Sequence, residues 1–304
     1  MTFQSGGSLS GGRVSAGGGR RGMAVGGGVG TLLIALLAIF LGVDPQGIIP
    51  ATQGGSDSSY TSQAAQELQE RIDACEAQGS EAANRDPVCR IVATTISLDA
   101  VWSDQLPKQI NTQYRRPNTK IFKDAIDTGC GHATAEVGPF YCSADNTAYF
   151  DLSFFRTLEN SFQGSSAPSA QMYVVAHEYG HHVQNVLGWL TMGRSNATGP
   201  QSKSVQLELE ADCFAGLWFH WATSNEYDSR KTPMLESLTA QELKAIQQTA
   251  QAIGDDHIQE ISNLRVDSSK WTHGSSEQRL KAFMLGYEYG SVNRCHATTS
   301  RRNI

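Results

Sequence analysis

Apolar residues recur at helical spacing along most of this 304-residue chain. Ala64, Leu68, Ile72 and Cys75 share one face of a helix predicted over 63–76. Val92, Ile96, Leu98, Val101, Trp102 and Leu106 define a second over 88–106, which Pro107 is expected to end. Between 120 and 152 the pattern shortens. Runs at 120–127, 134–142 and 146–152 predict strands, with a turn at Ser143-Ala144-Asp145-Asn146 joining the last two. Asp151 is placed to cap a short helix over 152–158. Helical character returns over 169–187, around residue 208, over 239–253 and over 275–289, the last capped by Ser275 or Ser276. Leu280, Phe283, Met284 and Tyr287 on that last helix read as core. Together these elements predict an α+β domain, mainly helical, with a small β-sheet.

Two of the helices carry polar residues that their apolar bodies do not explain. The first reads His177-Glu178-Tyr179-Gly180-His181, in a stretch that Met172, Val174, Val175 and Val183 mark as buried. Histidines four apart share a helical face, and two imidazole nitrogens there can grip one zinc ion. Glu178 lies about 100° round the helix, beside the metal, where it can accept a proton from an attacking water. The competing account is a pair of histidines satisfied by ordinary core hydrogen bonds. A second helix shifts the balance. Glu208 and Asp212, again four apart, sit among Leu207, Leu209, Phe214, Leu217, Trp218 and Trp221. A largely apolar helix does not bury two carboxylates on one face without a cation. A catalytic zinc needs three protein ligands and one open position. Glu208 is the candidate third ligand and Glu210 its competitor. Asp212 could accept the outer N–H of His177 or His181 and fix that ring's tautomer.

His273 precedes the helix over 275–289, so it is a candidate donor to an oxyanion or, equally, the holder of a neighbouring loop. His182 is expected to face away from the metal. His132, His220, His257 and His296 carry no spacing that suggests a site, and Arg279 reads as an ion-pair partner inside the fold.

Four segments in order carry a wider likeness: Gly138-Pro139-Phe140-Tyr141-Cys142, Val175 to Gln184, Glu208 to Gly216, and Thr272 to Arg279, behind a Gly-rich start with a hydrophobic segment. Through them the chain resembles the bacterial neutral zinc metallopeptidase family, a group of membrane-anchored proteases. The Glu208…Asp212 spacing is similar to that of gluzincin proteases, where the Glu ligates zinc and the Asp supports a histidine. The Thr272-His273…Arg279 stretch is similar to a Thr-His-Pro…Arg motif of membrane-associated gluzincins, with Gly274 in place of the proline. The resemblance implies a zincin-like domain, a Zn2+ cofactor and a peptide or protein substrate.

The net charge of −6 sets aside general nucleic-acid binding. Residues 1–23 are rich in Gly, Ser and Arg and are expected to be disordered. Residues 24–43 are apolar, and as a helix would span roughly 30 Å, about one bilayer core, although glycines weaken insertion. Arg13, Arg20 and Arg21 precede this run and Asp44 follows it. The positive-inside rule then predicts a cytoplasmic tail (1–23), a transmembrane signal-anchor (24–43), a linker (44–62) and a zinc metallopeptidase domain (63–304) outside the bacterial cytoplasmic membrane. A cleaved signal peptide is the rival. The six cysteines agree with export. Cys75 and Cys89 bracket a short segment, Cys130 and Cys142 could close a hairpin, and Cys213 and Cys295 remain, although about 15 pairings are open in principle.

The reaction these features imply is zinc-dependent peptide hydrolysis. His177, His181 and Glu208 are the ligands, Glu178 is the general base, and His273 helps the metal to stabilise the oxyanion. The strand at 134–141 or that at 146–152 could pair with an extended peptide, or merely cover the metal helix. The alternative is a zinc-stabilised envelope binding or assembly module with little catalysis. Such a module has no need of Glu178, which favours the enzyme. Oligomeric state is left open.

Overall fold

The computed structural model describes residues 3–17, 58–192, 197–228, 231–232 and 234–300. The apolar run at 24–43 lies outside them. Among the described residues no helix is long and apolar enough to cross a membrane.

The chain enters through β1 (Val14–Ala16), then α1 (Ser58–Gln78), the short α2 (Ser80–Ala83) and α3 (Pro87–Ile110). Asp86 caps α3 by accepting from the Val88 and Cys89 amides, with Pro87 in the first turn, where its missing N–H costs nothing. The helix does not stop at Pro107 as expected. It continues to Ile110 and ends at Asn111, in the left-handed region at φ 53°. A proline in the last turn forfeits about one backbone hydrogen bond, and the buried face ahead of it holds the helix together.

The strand region contains β2 (Asn118–Phe122), β3 (Ala125–Thr128), β4 (Gly131–Thr134), β5 (Phe140–Cys142) and β6 (Thr147–Asp151). They form two sheets, one in the order β1-β2-β6-β5 and one of β3 with β4. The expected strand over 120–127 is split because Asp124 adopts φ 68°, which turns the chain out of the first sheet. The run over 134–142 is interrupted by a 3-10 turn at Ala135–Val137. Asp151 caps less directly than expected: it accepts from the Ser153 amide ahead of α4 (Phe154–Phe162).

Residues 3–17, expected to be disordered, are part of this body. Phe3 and Leu9 are buried. Val14 to Ala16 pair in parallel with Thr119 to Ile121. The amides of Phe3, Gly7 and Ala16 donate to Asn84, Ser80 and Gln69. Low apolar content argued for disorder, but backbone pairing compensates for it here. The three disulfides join Cys75 to Cys89, Cys130 to Cys142 and Cys213 to Cys295.

The helical core follows: α5 (Pro168–Val186), the short α6 (Trp189–Met192), α7 (Lys203–Ala222), α8 (Ala240–Ala252), α9 (Asp255–Ile261), α10 (Ser276–Tyr289) and α11 (Val292–Ser300). Ser275 and Gln278 form a reciprocal capping box at the start of α10. The sheet rests on α5, where the Tyr179 and Thr119 hydroxyls meet at 2.9 Å. Helices α7 and α10 cross in direct backbone contact. A Cβ on Gly216 would overlap the Phe283 carbonyl oxygen, and one on Gly286 would overlap that of Cys213.

Two stability outcomes follow. Alanine is the better helix former by about 1 kcal/mol, yet Gly286→Ala should destabilise the fold by about 2 kcal/mol or more in denaturant titration, because the crossing cannot admit a methyl group. Asp99 is buried, and burial pushes its pKa to about 7 although Tyr114 and Arg116 oppose the shift. A carboxyl whose folded pKa lies above its unfolded value contributes stability in acid that is lost as pH rises from about 4 through 7. That loss is about 4 kcal/mol at most, and in pH-resolved unfolding Asp99→Asn should flatten it.

Candidate metal centre

Helix α5 is buried almost throughout, and His177 and His181 stand one turn apart on it. Between them, Gly180 faces α7. A Cβ there would lie 2.9 Å from the Ala211 Cα, so the missing side chain lets the two helices touch. That approach delivers Glu208, about one turn before Ala211, to the histidine pair. Glu208 Oε2 lies 3.3 Å from His177 Nε2, and Oε1 lies 3.4 Å from His181 Nε2.

These separations fit zinc. Donors bonded at about 2.0–2.1 Å to one tetrahedral ion stand roughly 3.3–3.4 Å from each other. The ligand atoms of His177, His181 and Glu208 all lie within 4.8 Å of one another. His181 Nε2 and Glu208 Oε2 are buried without a hydrogen-bond partner, as atoms awaiting a cation would be.

The outer ring nitrogens fix the tautomers. His177 Nδ1–H donates to Asp212 Oδ1 at 2.8 Å. Tyr173 donates its hydroxyl to the same oxygen, and Arg279 clamps both oxygens at 3.0 and 2.9 Å. His181 Nδ1–H donates to Gln184 Oε1 at 2.9 Å. In the neutral rings that metal ligation requires, both Nε2 atoms then turn their lone pairs toward Glu208. Asp212 thus serves His177, which the sequence left open between the two histidines. Arg279 is the ion-pair partner it was expected to be.

Electrostatics agree with a cation site. Burial opposes charge on His177, but Asp212 and Glu208 reverse the effect and hold its pKa up, at about 10. His181 is raised in the same way by Glu208. Burial pushes Glu208 up, and His181 with His177 more than undoes this, holding the carboxyl well below the usual range. The carboxylates of Asp212 and Glu208 thus favour positive charge at this spot, be it a ring proton or a bound cation.

Glu178 and His273 line one cleft with His177, Glu208 and Arg279. Glu178 keeps Oε2 without a hydrogen bond, and burial raises its pKa against the pull of His177 and His181. His273 Nδ1 lies 3.1 Å from Asp255 Oδ1. Asp255 Oδ2 in turn accepts the backbone amides of Thr272, His273 and Gly274. Burial disfavours the charged ring of His273, and Asp255 more than offsets that. Asp255 was not singled out from the sequence. It lies 18 residues from His273, and its position in the first turn of α9 was the only signal.

The remaining histidines lie elsewhere. His182 bonds the Tyr141 hydroxyl and the Arg115 carbonyl, away from the metal ligands. His132, His220 and His257 meet Asp127, the Tyr287 carbonyl and the Phe162 carbonyl. Glu210 is not a ligand in this geometry, since its oxygens engage Gln184 and His296. Strand β6 lies between β2 and β5, so residues 146–152 cannot offer a free edge; β5 can.

Residues 5–298 match the family described as "Putative neutral zinc metallopeptidase". The chain belongs to this family. The uncharacterized protein Rv2575 of Mycobacterium tuberculosis is 42% identical over 258 residues, covering 85% of this chain and 84% of that one. The uncharacterized protein YpfJ of Escherichia coli is 36% identical over 275 residues, covering 89% and 86%. No solved structure matches the chain significantly. The family description agrees with a zinc site, and His177, His181 and Glu208 form a donor set close enough to hold one ion.

Glu208→Ala should leave the purified protein without stoichiometric zinc by atomic absorption. Full retention would transfer the ligand role to another oxygen.

Proposed function

We propose that the chain hydrolyses peptide bonds, with zinc held by His177, His181 and Glu208 and with Glu178 as general base. The carrying observation is Glu178 itself. Its unpartnered carboxylate oxygen is buried in the cleft beside a three-residue ligand set. A structural zinc site closes with four protein ligands and has no use for such a group.

When bound, zinc would polarise the scissile carbonyl and make water more acidic. Glu178 then takes the proton of the attacking water and returns it to the departing amine. Asp255 favours the charged form of His273, which would donate one N–H to Asp255 and offer the other to the developing oxyanion. Arg279 and Asp212 neutralise each other and keep His177 in place.

The cleft also suggests what is cut. Phe154, Phe162, Val174, Ile253 and Ile258 line it beyond the polar groups. A large uncharged side chain next to the scissile bond fits that wall. Gly138 and Pro139, just before the open edge of β5, border the same cleft and offer backbone to an extended peptide.

Three disulfides support an oxidising, extracytoplasmic location for the domain. Residues 3–17 pack on the same body as residues 58 onward, which favours a reading with both of these segments on one side of a membrane. Attachment through the 24–43 run is therefore proposed as contact from the domain's own side, in place of a single crossing.

Glu178→Gln should retain zinc and lose about 10²–10⁴ of kcat on peptides with Leu or Phe beside the cleaved bond. Parental turnover by this variant would exclude the proposed base. Stoichiometric zinc without hydrolysis of any peptide would favour the binding-module alternative.

A further inference from the structure

Behind His181 a line of polar side chains runs outward across three helices. Its first link is Gln184, fully buried on α5, whose Oε1 accepts from His181 Nδ1 at 2.9 Å. The far end of that amide fixes its direction. Gln184 Nε2 donates to the Leu207 carbonyl at 2.7 Å and to Glu210 Oε2 at 2.9 Å. Both partners only accept, so the amide cannot turn round. Glu210 is buried on α7, and its other oxygen accepts from His296 Nδ1 at 2.7 Å. His296 lies on α11, stacked on Trp189 with ring centroids 3.8 Å apart, and is partly exposed. The Cys213–Cys295 disulfide fastens α11 to α7 beside it.

We infer that Gln184, Glu210 and His296 are positioning residues for the metal centre, holding His181 with its proton on Nδ1 and its Nε2 lone pair toward His177 and Glu208. The inference rests on the proposed zinc site and extends it to the C-terminal helix. His177 and His181 are backed differently. Behind His177 stands a carboxylate already neutralised by Arg279. Behind His181 stands a neutral amide, with the carboxylate one link further out. Without Gln184, nothing in this line favours Nδ1–H over Nε2–H, and the Nε2–H tautomer cannot ligate through the Nε2 that faces Glu208.

A cross-link that merely joins α5 to α7 would use the same bonds, so the test must separate the two roles. Zinc affinity of the full-length protein is measured by competition with a chromophoric chelator. The visible spectrum of the Co2+-substituted protein and the unfolding stability of the metal-free protein are recorded beside it. Gln184→Leu and Glu210→Ala are expected to weaken zinc binding about 10–100-fold and to shift the Co2+ bands. Glu210→Gln can still accept from Gln184 while donating to a neutral His296, so it should rescue binding to within about threefold of the parent. His296→Ala, at the accessible end, should weaken binding by about two- to fivefold. If Gln184→Leu fails to fold, the Ala–Gln contrast at Glu210 and the His296 variant decide. Folded variants that lose metal-free stability but keep parental zinc affinity and Co2+ spectrum would overturn the inference. A parent that takes up no zinc would instead overturn the proposed site, and the inference with it.

Discussion

Everything at the centre depends on how closely α5 and α7 approach. Gly180 presents no side chain to Ala211, and the resulting backbone contact sets the reach of Glu208 to both imidazoles. A larger residue at 180 would move α7 outward, and a carboxylate at 3.3 Å from one ring and 3.4 Å from the other would lose both. The second close crossing, of α7 with α10 through Gly216 and Gly286, brings Arg279 to Asp212. Helix contact and site geometry are thus one constraint. Small residues at two crossings convert packing into coordination.

The site concentrates charge where solvent is absent. Burying charges costs several kcal/mol each unless every one is matched. Asp212 is matched by Arg279 and by the hydrogen bonds of His177 and Tyr173. Asp255 is matched by three backbone amides and His273. Glu210 is matched by Gln184 and His296. Asp212 Oδ2 has no hydrogen bond but is ion-paired with the Arg279 guanidinium at 2.9 Å, whereas Glu208 and Glu178 each keep an oxygen with no hydrogen-bond partner and no arginine within 3 Å. They are also the two acids to which metal ligation and proton transfer are assigned.

The sequence revealed the helices because their burial repeats at 3.6 residues, and it revealed the candidate metal residues because polar groups four apart stood out against apolar helices. Long-range partners left no such mark. Asp255 reaches His273 across a loop, and His296 reaches Glu210 only because the Cys213–Cys295 link brings the C-terminal helix back. Gln184 was legible in principle, at i+3 from His181 inside a buried stretch. Strand ends were misjudged at Asp124 and at Ala135–Val137, where backbone geometry interrupts an apolar pattern that looks continuous. The N-terminal residues misled most: their pairing is carried by backbone amides, which composition does not register. The apolar run at 24–43 keeps its meaning as a sequence feature.

The most direct test is X-ray absorption at the zinc edge on the purified full-length protein. The account predicts one zinc per chain, with nitrogen and oxygen donors alone at about 2.0–2.1 Å and an imidazole signature from two rings. A sulfur shell at about 2.3 Å, or a spectrum unchanged when both His177 and His181 are replaced, would contradict it.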